Sequence, residues 1–320
     1  MKKSVFIVAF FVTLIFTACT SDEMIVEQES FNGTLTEFIY SIYDTSTLDI
    51  SEQTIYILGN NRILSSLYNS NEFNTTLNST YSYLDDRITE IVTYENNQMI
   101  KKTNYNYDNN GNLLEYISMF TETDTLQLYY DKHTFTHTQD TIFAERKRST
   151  DGINYDTFIS TMKMILEDND NRTYFEIFDY INNGPISVKR SIYDTNDNMI
   201  TEETSVRYTD GTTSMVNLNT YGYNTSVNTL QTIYEETFGR KNTMLLYHLE
   251  SQIIFNFNPR FLSPNSMSAF SSTSVTEGSF PVEFENTLDT NNISLYDDYR
   301  VYTNNSIDYF YKFTLEYVFE

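Results

Sequence analysis

The 320-residue chain has no tryptophan, one cysteine, four prolines and nine glycines, and only 20 lysines and arginines against 44 aspartates and glutamates. Each shortage excludes something. With Cys19 alone, no intramolecular disulfide can form. A chain so poor in clustered Lys and Arg is not built to neutralise phosphates, so nucleic acid is excluded as a partner. The one basic cluster, Arg146-Lys147-Arg148, reads as a solvated strand end. No glycine-rich phosphate loop is present and no Gly-x-Ser-x-Gly nucleophile turn. The apolar run from Val5 to Phe16 is too short to cross a bilayer.

What is present begins with an address. Lys2 and Lys3 give a positive start, Val5 to Phe16 a short apolar core, and Thr17-Ala18 the small residues before Cys19. The segment resembles a bacterial lipoprotein signal. That resemblance implies cleavage after residue 18, lipid on Cys19 and residues 19–33 as a tether, so that a membrane is a partner through the lipid. Thr20-Ser21-Asp22-Glu23 resembles the acidic export tag of surface lipoproteins of the Bacteroidota, which implies an outer-membrane lipoprotein exposed at the cell surface, with the periplasmic face as the alternative. Losing Lys2 and Lys3 leaves 18 basic against 44 acidic residues, a net charge of −26. Such a balance favours solubility and repels acidic partners.

Between Tyr81 and Phe120 one phrase is spoken three times: an aromatic, a polar turn and a pair of aliphatics. It runs as Tyr81 to Ile91, Tyr94 to Lys102 and Tyr105 to Glu115, and returns after Tyr193 as Asp194-Thr195-Asn196-Asp197-Asn198-Met199-Ile200. A repeat of roughly a dozen residues fits a strand plus a turn and is too short for a helical pair. The 27 tyrosines and 23 phenylalanines suit a pleated, half-buried surface. Five glycines follow Asn or Asp, at Gly33, Gly111, Gly152, Gly184 and Gly211, a pairing that favours primed hairpin turns.

The fold class expected is all-β: a large antiparallel meander forming a curved sheet or open barrel-like superroll, with little helix, as a single domain over residues 34–320. Thr229–Thr237 and Thr243–Phe257 read as strands, and Thr161–Glu167 is the least implausible short helix. Residues 258–285 hold three of the four prolines and a serine-rich run, and are expected to be a long loop of the functional or disordered kind. The phrases from Tyr81 to Tyr223 resemble the YD-type hairpin phrases of Rhs-like proteins and of Bacteroidota lipoproteins whose antiparallel sheet is likened to a porin or superroll. The clean glycine form is Tyr107-Asp108 to Leu114. The resemblance implies no catalytic residues.

Chemistry is thin. His133 and His137 stand four apart in a strand-like run, roughly 13 Å along the chain, too far for one ion to bridge. His248 is isolated, so no metal or cofactor is expected. Glu167-Asp168-Asn169-Asp170-Asn171 and Asp194 to Asn198 are oxygen-rich, yet lack the glycine and distal glutamate of an EF-hand loop, and read as solvated turns. Two function classes follow: a non-catalytic binding or structural module using tyrosine faces for a glycan or peptide, and a carboxylate-dependent glycoside hydrolase or other surface hydrolase, for which no pair of acids stands out.

Overall fold

The computed structural model describes residues 34–43, 49–121, 127–167, 169–181, 184–249, 263–274, 278–288, 294–303 and 306–319. Cys19, the signal segment and the tether lie outside them. Residues 31–320 make one compact unit. Its strands are β1 (Leu35–Tyr43), β2 (Ile50–Gly59), β3 (Arg62–Ser70), β4 (Thr75–Leu84), β5 (Arg87–Glu95), β6 (Gln98–Tyr107), β7 (Leu113–Thr121), β8 (Leu128–His137) and β9 (Thr141–Ser149). They continue as β10 (Thr157–Leu166), β11 (Arg172–Asp179), β12 (Ile186–Tyr193), β13 (Met199–Arg207) and β14 (Thr213–Val227). Helices α1 (Thr229–Phe238) and α2 (Arg240–Leu249) intervene before β15 (Asn265–Ser274), β16 (Gly278–Leu288), β17 (Ser294–Thr303) and β18 (Ser306–Phe319).

Every strand pairs antiparallel with its neighbour in sequence, and β1 also pairs with β18, placing Phe38 opposite Tyr317. The expected large antiparallel meander is therefore present, rolled into a barrel-like sheet. Its period-2 logic is plainest in β4, where Thr75, Leu77, Ser79, Tyr81 and Tyr83 are half-buried and the residues between them exposed. The sheared faces converge: Leu35 of β1, Ile63 of β3, Tyr116 of β7 and Met164 of β10 join one buried cluster with Leu230, Ile233, Tyr234 and Phe238 of α1. Only the inner face of a rolled sheet can bring strands so far apart in order into contact with the same helix.

The two helices correct the strands expected at Thr229–Thr237 and in the first part of Thr243–Phe257, whose residues 250–257 lie outside the described set. Four threonines and Ile233 suit a strand, but tertiary burial overrides that propensity. Leu230, Ile233, Tyr234 and Phe238 follow helical spacing, and the Asn228 side chain caps the start by accepting from the N–H of Gln231. Gly239, at φ +81°, turns the chain between the helices and donates its N–H to the Glu235 carbonyl at 2.7 Å.

Thr161–Leu166, the least implausible stretch for a helix, is strand within β10, with Met162, Met164 and Leu166 buried in alternation. One further correction applies. Residues 258–285 are not one loop, for β15 and β16 run through them, with Pro281 opposite Ser271. Residues 258–262 and 275–277 lie outside the described set. Serine-rich composition concealed the alternation that buries Met267 with Met199, Tyr221 and Met244.

The hairpins obey a different turn code from the one expected. Two-residue turns with both φ positive are made by Asn60-Asn61, Asp85-Asp86 and Asn96-Asn97, without glycine. Gly111 and Gly211 instead sit fourth in five-residue loops, where Asp170 and Asp197 take the same positive φ in the matching loops.

Candidate functional site: the inner wall and its helical plug

One end of the rolled sheet is where each even-numbered strand turns into the next odd one, and the repeated phrase builds it. In the loops 108–112, 167–171 and 194–198 the first residue's N–H meets the fifth residue's carbonyl at 2.9 Å, and the fourth N–H returns to the first carbonyl; the loop 208–212, between β13 and β14 at the opposite end, closes in the same way. Asp108 tightens its loop by accepting from the N–H groups of Asn110 and Asn112 at 2.8 Å, and Asp194 does the same for Asn196 and Asn198. The phrase's ring then reaches across to the previous repeat. Tyr83 donates to the Ile63 carbonyl at 2.7 Å, Tyr193 to Arg172 at 3.0 Å and Tyr223 to Met199 at 2.7 Å. His137 fills the same place in β8, with Nε2 2.7 Å from the Leu113 carbonyl.

These turns hold the plug. Asn242 of α2 accepts from the Leu113 N–H at 3.2 Å and donates to the Gly111 carbonyl at 3.0 Å, while Lys241 reaches Asn112 at 2.9 Å. Arg240 bonds the Asn169 carbonyl at 3.1 Å and Asn171 Oδ1 at 2.5 Å. At α1, Arg62 and Ile63 of β3 meet the Glu236 carbonyl and the Thr237 hydroxyl. The two oxygen-rich segments are thus brought together, since Asn169 and Asn171 both donate to Asp197. The cation between them and the helix is Arg240.

Further along the inner face the wall becomes polar. Ser79 bonds Thr93 and Thr103 bonds Ser118, at 2.9 and 3.0 Å. Beside them Asp131, whose side chain is 3% exposed, receives Arg148 Nε at 2.7 Å and both Nε and Nη2 of Arg146. Burial alone would raise the Asp131 carboxyl, but the two guanidinium groups hold it below its ordinary value. Arg148 also lies over the rings of Phe120 and Tyr129, 5.4 and 4.9 Å from their centroids. The basic cluster expected as a solvated strand end is instead split by strand alternation: Arg146 and Arg148 point in to Asp131, and Lys147 points out toward Glu145.

His133 stands one layer toward the plug, stacked on Tyr116 at 4.1 Å. Burial first, then Arg146, pushes its pKa down to about 3, and its Nδ1 is buried with no hydrogen-bond partner. Two strands on from β9 in the order of the sheet, Arg172 of β11 is wholly buried and bonded to Ser191 at 2.6 Å and to Glu202, with Lys189 3.5 Å from the same carboxylate. Burial opposes ionisation of Glu202, and Arg172 and Lys189 outweigh it. Sequence reasoning missed both clusters because a single charged residue in a strand looks the same whether it points in or out. The usable signal was parity with the neighbouring aromatics.

No family model matches this chain. No curated protein sequence matches it either. Among solved structures, it is similar to a porin-like protein from Bacteroides uniformis, at 13% identity and TM-score 0.40 over 91% of this chain and 100% of that one. It is also similar to a porin-like protein from Bacteroides vulgatus, at 9% identity and TM-score 0.41 over 90% and 99%.

Asp131 and Glu202 are both held ionised by arginine, whereas glycoside hydrolysis needs one acid raised beside one ionised. Among the described residues the carboxyl pushed upward is Glu235, by burial, with Arg240 opposing. It is braced by Gln231 at 2.7 Å and Arg240 at 2.6 Å, as part of the plug.

Proposed function

We propose that this chain is a non-catalytic binding module, attached to a membrane by lipid on Cys19 and displayed outside the cytoplasm, with the inner wall of its rolled sheet as the binding part. The observation that carries the reading is the pairing of a helical plug, bonded to the turns at one end, with a charged inner wall. A through-channel would leave that end unobstructed, and a hydrolase would need a carboxyl poised to give up a proton. Inner-wall arginines give fixed, directional donors, which suit recognition. The test is a screen of glycans and peptides against the purified full chain, followed by a structure of any complex. A ligand bound unchanged against the inner wall is the expected result. Turnover of a bound saccharide would replace this reading with the hydrolase.

A further inference from the structure

We propose that the outer face of β3 to β5 carries a second binding site, a groove for a neutral saccharide. The inference goes beyond the inner-wall reading and does not depend on it. The groove encloses about 400 Å³, within the range of about 300–1,000 Å³ usual for small-molecule sites. The strand registers set one row across it, with Leu67 of β3 beside Asn78 of β4 and Asn78 beside Tyr94 of β5. Thr76 and Thr80 stand two residues to either side of Asn78, so strand alternation turns them to the same outer face. Asn96 and Asn97, in the turn after β5, supply the rest of the lining.

What the lining holds decides the ligand. In a chain with a net charge of −24, the described lining of the groove has no charged side chain. Glu95, next after Tyr94, stands opposite Leu77 and so turns to the inner face. Glu90 and Lys102, further along the outer wall, pair with each other at 2.6 Å. An ion therefore gains no counter-charge from the lining, whereas three carboxamides and two threonine hydroxyls offer both donors and acceptors. The Thr76 hydroxyl donates to Asn69 Oδ1 at 3.1 Å, and among the described residues the side chains of Asn78, Thr80, Asn96 and Asn97 make no hydrogen bond to the protein. Asn96 and Asn97 both hold positive φ, at 49° and 65°, so the backbone that carries their amides is set in one geometry before anything binds. The Tyr94 ring, 37% exposed, adds a flat apolar face with a hydroxyl at its edge. A sugar presents the matching surfaces, a C–H face for the ring and hydroxyls for the amides. A peptide fits less well: β3, β4 and β5 are each paired on both sides, so no strand edge is open for main-chain pairing.

The test titrates the purified full chain by calorimetry with neutral gluco-, manno- and galacto-oligosaccharides, with acidic oligosaccharides and uncharged peptides alongside. Binding of a neutral oligosaccharide is expected, at an affinity that stays constant as salt is raised from about 0.05 to about 0.5 M, because no charge is there to be screened. Tyr94→Ala should weaken it about tenfold by removing the stacking face, and Tyr94→Phe should hold it within about threefold. Asn78→Ala should weaken it about threefold or more, and carries the test should Tyr94→Ala fail to fold. Tyr208→Ala, which removes an exposed ring outside the groove, should change nothing. A neutral sugar bound equally well by Tyr94→Ala and Asn78→Ala overturns the groove and leaves the inner wall as the binding part. An acidic oligosaccharide held while no neutral one binds does the same. An uncharged peptide bound in place of sugar, and lost in Tyr94→Ala, overturns the saccharide assignment. No binding by any glycan or peptide would remove both the groove and the inner-wall reading.

Discussion

Replacing Asn242 by alanine tests whether the turns hold the plug. Its amide makes three hydrogen bonds, from Leu113 N–H at 3.2 Å, to the Gly111 carbonyl at 3.0 Å and to the Phe238 carbonyl at 2.9 Å, and the residue is 6% exposed. At about 1 kcal/mol of net stability for each bond, the loss is ~3 kcal/mol. The Leu113 N–H belongs to a fully buried residue, so water cannot readily replace the lost partner and the figure should not fall below ~2 kcal/mol. For a domain of this size that lowers Tm by roughly 4–12 °C. Asn106→Ala, at an exposed outer position of β6, should change stability by no more than ~0.5 kcal/mol. The assay is thermal and urea unfolding followed by far-ultraviolet circular dichroism. An Asn242→Ala chain as stable as the parent would refute the docking described here, because none of the three bonds could then matter.

Breaking the buried pair by Glu202→Leu alone should cost about 3–5 kcal/mol by stranding Arg172, and the double change Arg172→Met with Glu202→Leu should recover most of it in urea titrations. Lowering pH should destabilise the fold in two stages. His133 stays neutral in the fold down to about 3, whereas the unfolded chain takes up that proton below about 6.5, so stability falls by as much as ~1.4 kcal/mol per pH unit beneath that point. Asp131 and Glu202 are held low, so their contribution is present above the ordinary carboxylate range and is lost as pH falls through their folded values. His133→Gln should flatten the first stage and spare the second; unfolding midpoints that track the parent from pH 7 to 4 would show that His133 does not set the slope. Finally, Cys19→Ala should abolish palmitate labelling and membrane partition, and continued labelling would remove the proposed anchor.

The strand course was legible because it is written twice, in period-2 alternation and in the repeated phrase. Tyr83, Tyr193 and Tyr223 show what the repetition is for: each ring crosses to the first buried residue of the preceding repeat, so the phrase is a link between hairpins as well as a hairpin. The helices were not legible for a physical reason. Over Thr229–Phe238 local propensity and tertiary burial point in opposite directions, and only the packed inner face, which no local window contains, decides between them. The turn glycines misled in the same way. Asn-Gly signals a primed two-residue turn when strands abut it directly, but Asp108 recruits two more residues through its carboxylate, and Gly111 becomes the fourth of five. The inner-wall site was hidden by parity. Lys101, Arg172 and Lys189 would argue against a lipid-facing wall if they pointed out, yet all three face inward.

The case about lipid is instead carried by side chains that do face out. Lys102 pairs with Glu90 at 2.6 Å, Lys132 with Glu115 at 2.5 Å and Lys147 with Glu145 at 3.1 Å, and Lys163 lies over the outward rings of Phe143 and Tyr174. A lysine on the lipid face of a membrane barrel costs about 2–4 kcal/mol at the bilayer midplane, so four such residues would together cost on the order of 10 kcal/mol. That is comparable to the whole stability of an ordinary domain. Among the described residues, outward apolar side chains such as Leu84 and Ile192 sit beside polar neighbours in their strands. The wall from β5 to β10 thus carries paired charges on its outside, and the sheet's apolar burial lies inside, against α1 and α2. That distribution supports the proposed anchor, since attachment through a lipid on Cys19 would ask nothing of the strands.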